Sequence, residues 1–246
     1  MFRAGGMTMP SSEHIVSGFD RDLEGIQAQI MRMGGLVEEA ISKATEALET
    51  RDAELARTVR AADSAIDKLE ELVNNEAARI IAQRQPIASD LRTVLTVFRV
   101  STNLERIGDY AKNIAKRTET IIDQPPVNGT GASLRRMARQ VELMLKDALD
   151  AYIQRDAALA ADVRARDRDV DQMYSALFRE YLTFMMEDPR NITTCMHLHF
   201  MAKNIERMGD HVTSIAEQVI YLVTGGLPDE DRPKLDRTAL DAGQSR

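Results

Sequence analysis

The sequence predicts an all-α protein made of two tandem, pseudo-repeated, antiparallel three-helix bundles. Three observations carry this prediction. Apolar residues recur at every third or fourth position through six long stretches, the spacing that gathers them on one helix face. Aromatic residues are only 4% of the 246-residue chain, with no Trp and 7 Pro, which disfavours sheet. The helix breaks and acidic motifs of the first half also return in the same order in the second, about 100 residues later. That period is too long for a solenoid repeat and suits one small bundle per copy.

The first helix is expected over 19–48, with Leu23, Ile26, Ile30, Met33, Val37, Ile41, Ala44 and Leu48 as its buried stripe. Gly34-Gly35 inside it signals a close helix contact or a bend. After a break at Arg51-Asp52, the second helix shows Leu55, Val59, Ala62, Ile66, Leu69 and Val73 in the 4-3 alternation of coiled-coil-like packing. Gln85-Pro86 ends it, because the residue before Pro avoids the α region. Ser89 or Asp90 can cap the third helix, which carries Leu91, Val94, Leu95, Phe98, Leu104, Ile107, Ala111, Ile114 and Ile121. The Pro/Gly-containing stretch 123–132 reads as the linker between the halves. The fourth helix, over 133–152, has Leu134, Met137, Val141, Leu145, Ala148 and Tyr152. Arg155-Asp156 repeats the first break, and the fifth helix follows with Leu159, Val163, Val170, Met173, Leu177, Tyr181 and Phe184 until Asp188-Pro189. The sixth starts near Asn191 and runs through Ile205, Met208, Val212, Ile215, Val219 and Leu222 to a Gly225-Gly226 stop. The expected division is therefore a disordered lead-in at 1–17, bundles at 18–122 and 133–225 joined by the linker, and a flexible tail at 226–246.

Composition removes several function classes. A net charge of −7 leaves no basic excess to neutralise nucleic-acid phosphates. One cysteine, Cys195, excludes an internal disulfide framework and points to a reducing compartment, with the thiol read as a small buried apolar group. No apolar run approaches the ~20 residues needed to span a bilayer. The start of the chain lacks the apolar core of a secretory signal, so the expected location is the cytoplasm. There is no Gly-rich phosphate loop, no Ser/His/Asp order and no Glu-x-x-His pattern, so the chain is not expected to be an enzyme.

One motif organises both halves. Asn-Leu-Glu-Arg-Ile-Gly-Asp-Tyr at 103–110 returns as Asn-Ile-Glu-Arg-Met-Gly-Asp-His at 204–211. Glu105 and Asp109, like Glu206 and Asp210, are four apart and so lie one above the other on a helix face. Like charges there oppose the helix by a few tenths of a kcal/mol, and an interior Gly costs about 1 kcal/mol against Ala. A cation on the acids and a close neighbour at the Gly would account for both features. A second acidic pair precedes each motif, Asp63 with Asp67 and Asp167 with Asp171. Asp63 and Asp67 directly follow Ala62 and Ile66, so these acids are placed at the edge of the buried stripe. Each half can then hold a carboxylate cluster, Asp63, Asp67, Glu105 and Asp109 in the first and Asp167, Asp171, Glu206 and Asp210 in the second. Such oxygen-only sets suit hard cations, or iron, manganese and zinc. The competing reading, that the acids are merely solvated, is disfavoured because four pairs match across the duplication. His211 is placed beside the acids as a supporting or surface residue, and Arg106 and Arg207 as ion-pair partners. His197 and His199, two apart, face different sides of a helix.

With these residues in view, the chain resembles the PhoU family of phosphate-transport accessory proteins over 14–226. The resemblance shows in Met-Gly-Gly-Leu-Val-Glu-Glu-Ala at 33–40, Gln-Pro-Ile-Ala-Ser-Asp-Leu-Arg at 85–92, the two Glu-Arg-(Ile/Met)-Gly-Asp repeats, and Asn113-Ile114-Ala115. Thr213-Ser214 departs from the usual Thr-Asn, and 191–199 matches poorly. The resemblance implies two three-helix bundles and places a multinuclear iron or zinc cluster on the four acidic pairs, with manganese or magnesium as the alternatives. It implies a metal-binding adaptor, a negative regulator of the phosphate-starvation response that modulates high-affinity phosphate uptake. The implied partners are the ATPase subunit of the phosphate ABC transporter, PstB, and the sensor histidine kinase PhoR; a homodimer is the expected assembly. The alternative is a carboxylate-bridged metalloenzyme or a metal store.

Overall fold

In the computed structural model, which describes residues 12–127 and 129–228, the chain forms six long helices. They are α1 (Ser12–Thr50), α2 (Ala53–Arg84), α3 (Ala88–Ile121), α4 (Thr130–Gln154), α5 (Ala157–Glu187) and α6 (Ile192–Thr224), with a short 3-10 turn at Pro189–Asn191 before α6. No strand occurs among the described residues. Helix α1 begins at Ser12, ahead of the expected residue 19; the rest of the expected lead-in, 1–11, and the tail from 229 onward lie outside the described residues.

The repeated Arg-Asp pairs break the chain by one shared device. Arg51 and Arg155 adopt left-handed backbone, φ 57° and 54°, which turns the chain out of α1 and α4. Asp52 then accepts hydrogen bonds from the amides of Glu54 and Leu55, and Asp156 from those of Ala158 and Leu159. Each side chain satisfies donors that a helix start leaves without partners. Gln85, also left-handed at φ 47°, closes α2 before Pro86. Gly225, at φ 83°, closes α6 by donating its amide to the Tyr221 carbonyl.

Two further boundaries differ from expectation. Neither Ser89 nor Asp90 caps α3: the extended residue before it is Ile87, which gives no side-chain cap, and both polar residues fall within the first turn. Ile87, at φ −124° and ψ 156°, is already extended, so the helix starts one residue before Ser89. The linker is also shorter, because left-handed Gly129 lets α4 begin at Thr130. Arg51 secures that connection by donating to the carbonyls of Ile122 and Gln124.

Helices α1, α2 and α3 pack on one another, as do α4, α5 and α6. The bundles join where α1 meets α4 and α3 meets α6, while α2 and α5 stay outermost. A single core runs through both, from Ile26, Ile30 and Met33 on α1 to Val212, Ile215 and Val219 on α6. Gly34 is the close contact: Leu149 of α4 occupies the space a Cβ would need, whereas Gly35 faces open space. Among the described residues, no helix is long and apolar enough to cross a membrane.

Most of the expected stripe of the outer helices is buried as read, including Val59, Ile66, Leu69 and Val73 of α2 and Val163, Val170, Leu177 and Tyr181 of α5, and it shifts by one residue only at single places. The buried stripe of α2 is Ala56, Val59, Asp63, Ile66, Leu69 and Val73, with Ala62 exposed and Leu55 only half-buried. In α5 it is Ala160, Val163, Val170, Tyr174, Leu177 and Tyr181, with Leu159, Met173 and Phe184 half-buried. Asp63 thus occupies a core position between Val59 and Ile66 instead of standing at the edge. Asp167 has the same place between Val163 and Val170, and is half-buried.

Candidate carboxylate sites on the outer helix pairs

Both acidic groups form where an outer helix meets an inner one, α2 on α3 and α5 on α6. The motif glycines make the approach possible. A Cβ on Gly108 would lie 2.9 Å from Ile66 Cδ1, and Asp63 Oδ1 is 3.9 Å from the same point. A Cβ on Gly209 would lie 3.2 Å from Asp167 Oδ1 and 3.4 Å from Val170 Cγ1. The interior Gly therefore offsets its helix-propensity cost by letting the acidic face of the neighbouring helix approach.

In the first group Asp63 is 5% exposed, and its counter-charge is Lys112, whose Nζ is 2.5 Å from Asp63 Oδ2. Lys112 also lies 3.6 Å from Asp109 Oδ1, so one ammonium ties α2 to α3. Arg106 reaches Glu105 at 3.5 Å and Asp109 at 3.8 Å, the ion-pairing role expected of it. Burial pushes the Glu105 carboxyl up to about 7, helped by the Asp109 anion and opposed by Arg106. Burial also raises Asp67, with the Asp63 charge next in effect and that of Asp109 adding. Asp67 thus feels the charges of Asp63 and Asp109, and Glu105 that of Asp109.

In the second group Lys203 donates to Glu206 Oε1 at 2.8 Å and lies 5.1 Å from the centre of the Tyr174 ring. Glu206 Oε2 is buried without a hydrogen-bond partner. Burial raises the Glu206 carboxyl, Lys203 opposes, and the Asp210 and Asp171 anions raise it further. Asp171 and Asp210 thus act on Glu206, and Asp167 packs on Gly209 of the same motif.

As the side chains stand, no three His, Cys, Asp or Glu residues among those described are gathered closely enough to hold a metal ion. The second group fits a hard cation, since a buried carboxylate oxygen has no donor. A lysine ammonium meets a motif acid in both groups, Lys112 on Asp63 in the first and Lys203 on Glu206 in the second.

Three participants were not singled out from the sequence. Lys112 and Lys203 are each three residues from a motif acid, a spacing that could have marked them. Glu70 on α2 accepts a hydrogen bond from Thr102 and adds negative charge near Asp67 and Glu105. His211 joins the two motifs across the α3–α6 contact: its Nδ1 is 2.8 Å from Asn103 Oδ1 and its ring is 5.7 Å from Tyr110. His197 and His199 are both lowered, chiefly by burial and then by Arg117 and Lys203 respectively. Cys195 is fully buried and its thiol is raised by that burial.

Comparison with known proteins bears on what these bundles are. A family model described as the PhoU domain matches twice, at residues 30–118 and 134–219, one match per bundle. A phosphate-specific transport system accessory protein PhoU homolog of Rhizobium meliloti (strain 1021) is 43% identical over 93% of this chain and 97% of its own length. The homolog of the same description from Caulobacter vibrioides (strain NA1000 / CB15N) is 44% identical over 92% and 98%. The crystal structure of PhoU from Pseudomonas aeruginosa superposes with a TM-score of 0.81 at 39% identity, covering 85% of this chain and all of that one. The phosphate transport system regulatory protein PhoU from Streptococcus pneumoniae gives a TM-score of 0.80 at 31% identity, covering 86% of this chain.

Proposed function

The chain belongs to the PhoU family, and from that premise we propose that it is a cytoplasmic, non-catalytic adaptor that restrains the phosphate-starvation response and modulates high-affinity phosphate uptake. Its partners in this reading are the ATPase subunit of a phosphate ABC transporter and a sensor histidine kinase, and its assembly is a homodimer. The observation that carries the proposal is the double family match laid over two bundles whose acidic motifs repeat.

Metal ligation, expected at all eight acids, belongs to this reading for Asp167, Asp171, Glu206 and Asp210, the carboxylates around the unpartnered Glu206 oxygen. Bound there, a cation would cancel like-charge repulsion and hold α5 against α6.

The test is a clean deletion in the source organism carrying a phosphate-starvation reporter, together with co-purification of the tagged protein with the transporter ATPase and the kinase. We expect the reporter to be active in phosphate-rich medium after deletion and both partners to be retained. Normal repression without the protein, and no retention of either partner, would refute the adaptor reading.

A further inference from the structure

We propose that the pocket between the first half of α3 and the end of α6 takes a small amphiphilic anion, an apolar chain or ring that carries a carboxylate. The inference stands apart from the adaptor and metal readings above and adds a small-molecule site to the chain.

Three pieces of chain wall this pocket, whose volume is about 360 Å³. Leu95 and Phe98 come from α3, Tyr221 from α6, and Leu227 from the segment that follows α6. Leu95 is 42% exposed and Leu227 55%, so both leave apolar surface in water that a ligand's apolar body would cover. The volume falls at the lower end of the roughly 300–1,000 Å³ of small-molecule sites, whose walls are mostly apolar with a few placed polar groups. Two kinds of polar group are placed here. Gln218 is only 7% exposed and lines the pocket, yet its side-chain amide makes no hydrogen bond among the described residues. A buried amide left unpaired is costly, and a ligand oxygen would pair it. Arg99 also lines the pocket, and the Arg92 guanidinium stands 5.6 Å from the centre of the Tyr221 ring. Neither arginine has a carboxylate partner among the described residues, whereas Arg60, Arg135 and Arg139 each meet a glutamate. A guanidinium is a planar fork of donors that matches a carboxylate. A neutral ligand would leave these cations unmatched, and a small inorganic anion would leave the apolar walls bare. A ligand with both parts answers both needs.

The experiment titrates the full chain with octanoate, and with octanol as its neutral counterpart, by isothermal titration calorimetry. The variants are Arg99→Gln, Leu95→Asp and, as a control cation on α3 outside the pocket, Lys116→Gln, each checked for helicity. A chain lacking 229–246 and vesicles of phosphatidylglycerol or phosphatidylcholine complete the set. We expect octanoate to bind more tightly than octanol. Arg99→Gln should weaken octanoate about tenfold, the loss of one charged hydrogen bond, and leave octanol unchanged. Leu95→Asp should abolish binding of both, and Lys116→Gln should match wild type. Arg99 is exposed, so its variant decides the question if Leu95→Asp does not fold. Octanol bound as tightly as octanoate, equal losses in Arg99→Gln and Lys116→Gln, or no heat with octanoate overturns the inference. Binding seen only without 229–246 overturns it by giving the pocket to the end of the chain itself. Retention on phosphatidylglycerol vesicles alone, lost in Arg99→Gln, overturns it in favour of a lipid surface.

Discussion

Replacing Glu105 by Gln should stabilise the metal-free protein at alkaline pH and leave it unchanged near pH 4.5. Burial and the Asp109 anion push the Glu105 carboxyl from an ordinary 4.5 up to about 7, so the folded state holds the proton more tightly than the unfolded chain. The sign follows from linkage. Whatever stability the protonated carboxyl contributes is fully present below pH 4.5 and is lost as pH rises through 7. At about 1.36 kcal/mol per pH unit, the difference sets an upper limit of about 3 kcal/mol. The side chain is 17% exposed and Arg106 stands 3.5 Å away, so screening and that cation reduce the expected effect to about 1–2 kcal/mol. For a chain of this size that is a gain of about 3–6 °C in Tm. The assay is thermal unfolding by circular dichroism in EDTA between pH 4.5 and 9, wild type beside Glu105→Gln. The Tm difference should open between pH 5 and 8 and stay constant above. A difference independent of pH, or a lower Tm for the variant at pH 8.5, would refute the reasoning, since Glu105 would then be better ionised than neutral in the fold.

The glycines give a paired test. Gly35→Ala should stabilise by about 0.5–1 kcal/mol, because the space around it is open and Ala is the better helix former. Gly108→Ala should destabilise by about 1–2 kcal/mol, since its Cβ would press on Ile66 Cδ1 and overpacking outweighs propensity; adding Ile66→Val, which removes that methyl, should recover part of the loss in denaturant melts. Asp52→Ala and Asp156→Ala should each cost about 1 kcal/mol through the lost caps, with hydrogen exchange quickening first at the Glu54/Leu55 and Ala158/Leu159 amides that they hold.

The features legible in the sequence were those set by neighbours along the chain. Helices appear as a three-to-four-residue apolar spacing because each turn returns to the same face, and Asp52 and Asp156 announce helix starts because a cap acts on amides two and three residues away. The same locality put Glu105 over Asp109 and Glu206 over Asp210, and the repeated motif together with the 33–40 and 85–92 stretches made the PhoU family readable. Contacts between helices were a different matter. Ala62 looked like core and Asp63 like its edge, yet the stripe passes through Asp63, because α3 offers Gly108 at that level and Lys112 supplies the charge that lets a carboxylate be buried. Between Val59 and Ile66 no local pattern decides whether position 62 or 63 is buried; the facing helix chooses. Long side chains are equally undetermined by spacing. Lys112 could have pointed to solvent, and only the approach of α2 to α3 puts Asp63 within its reach. The sequence alone therefore determined the helices, their order, the duplication and which acids share a face. The tertiary structure decided which of those acids are buried and which cation meets them, because packing across helices sets burial and burial sets what a charge requires.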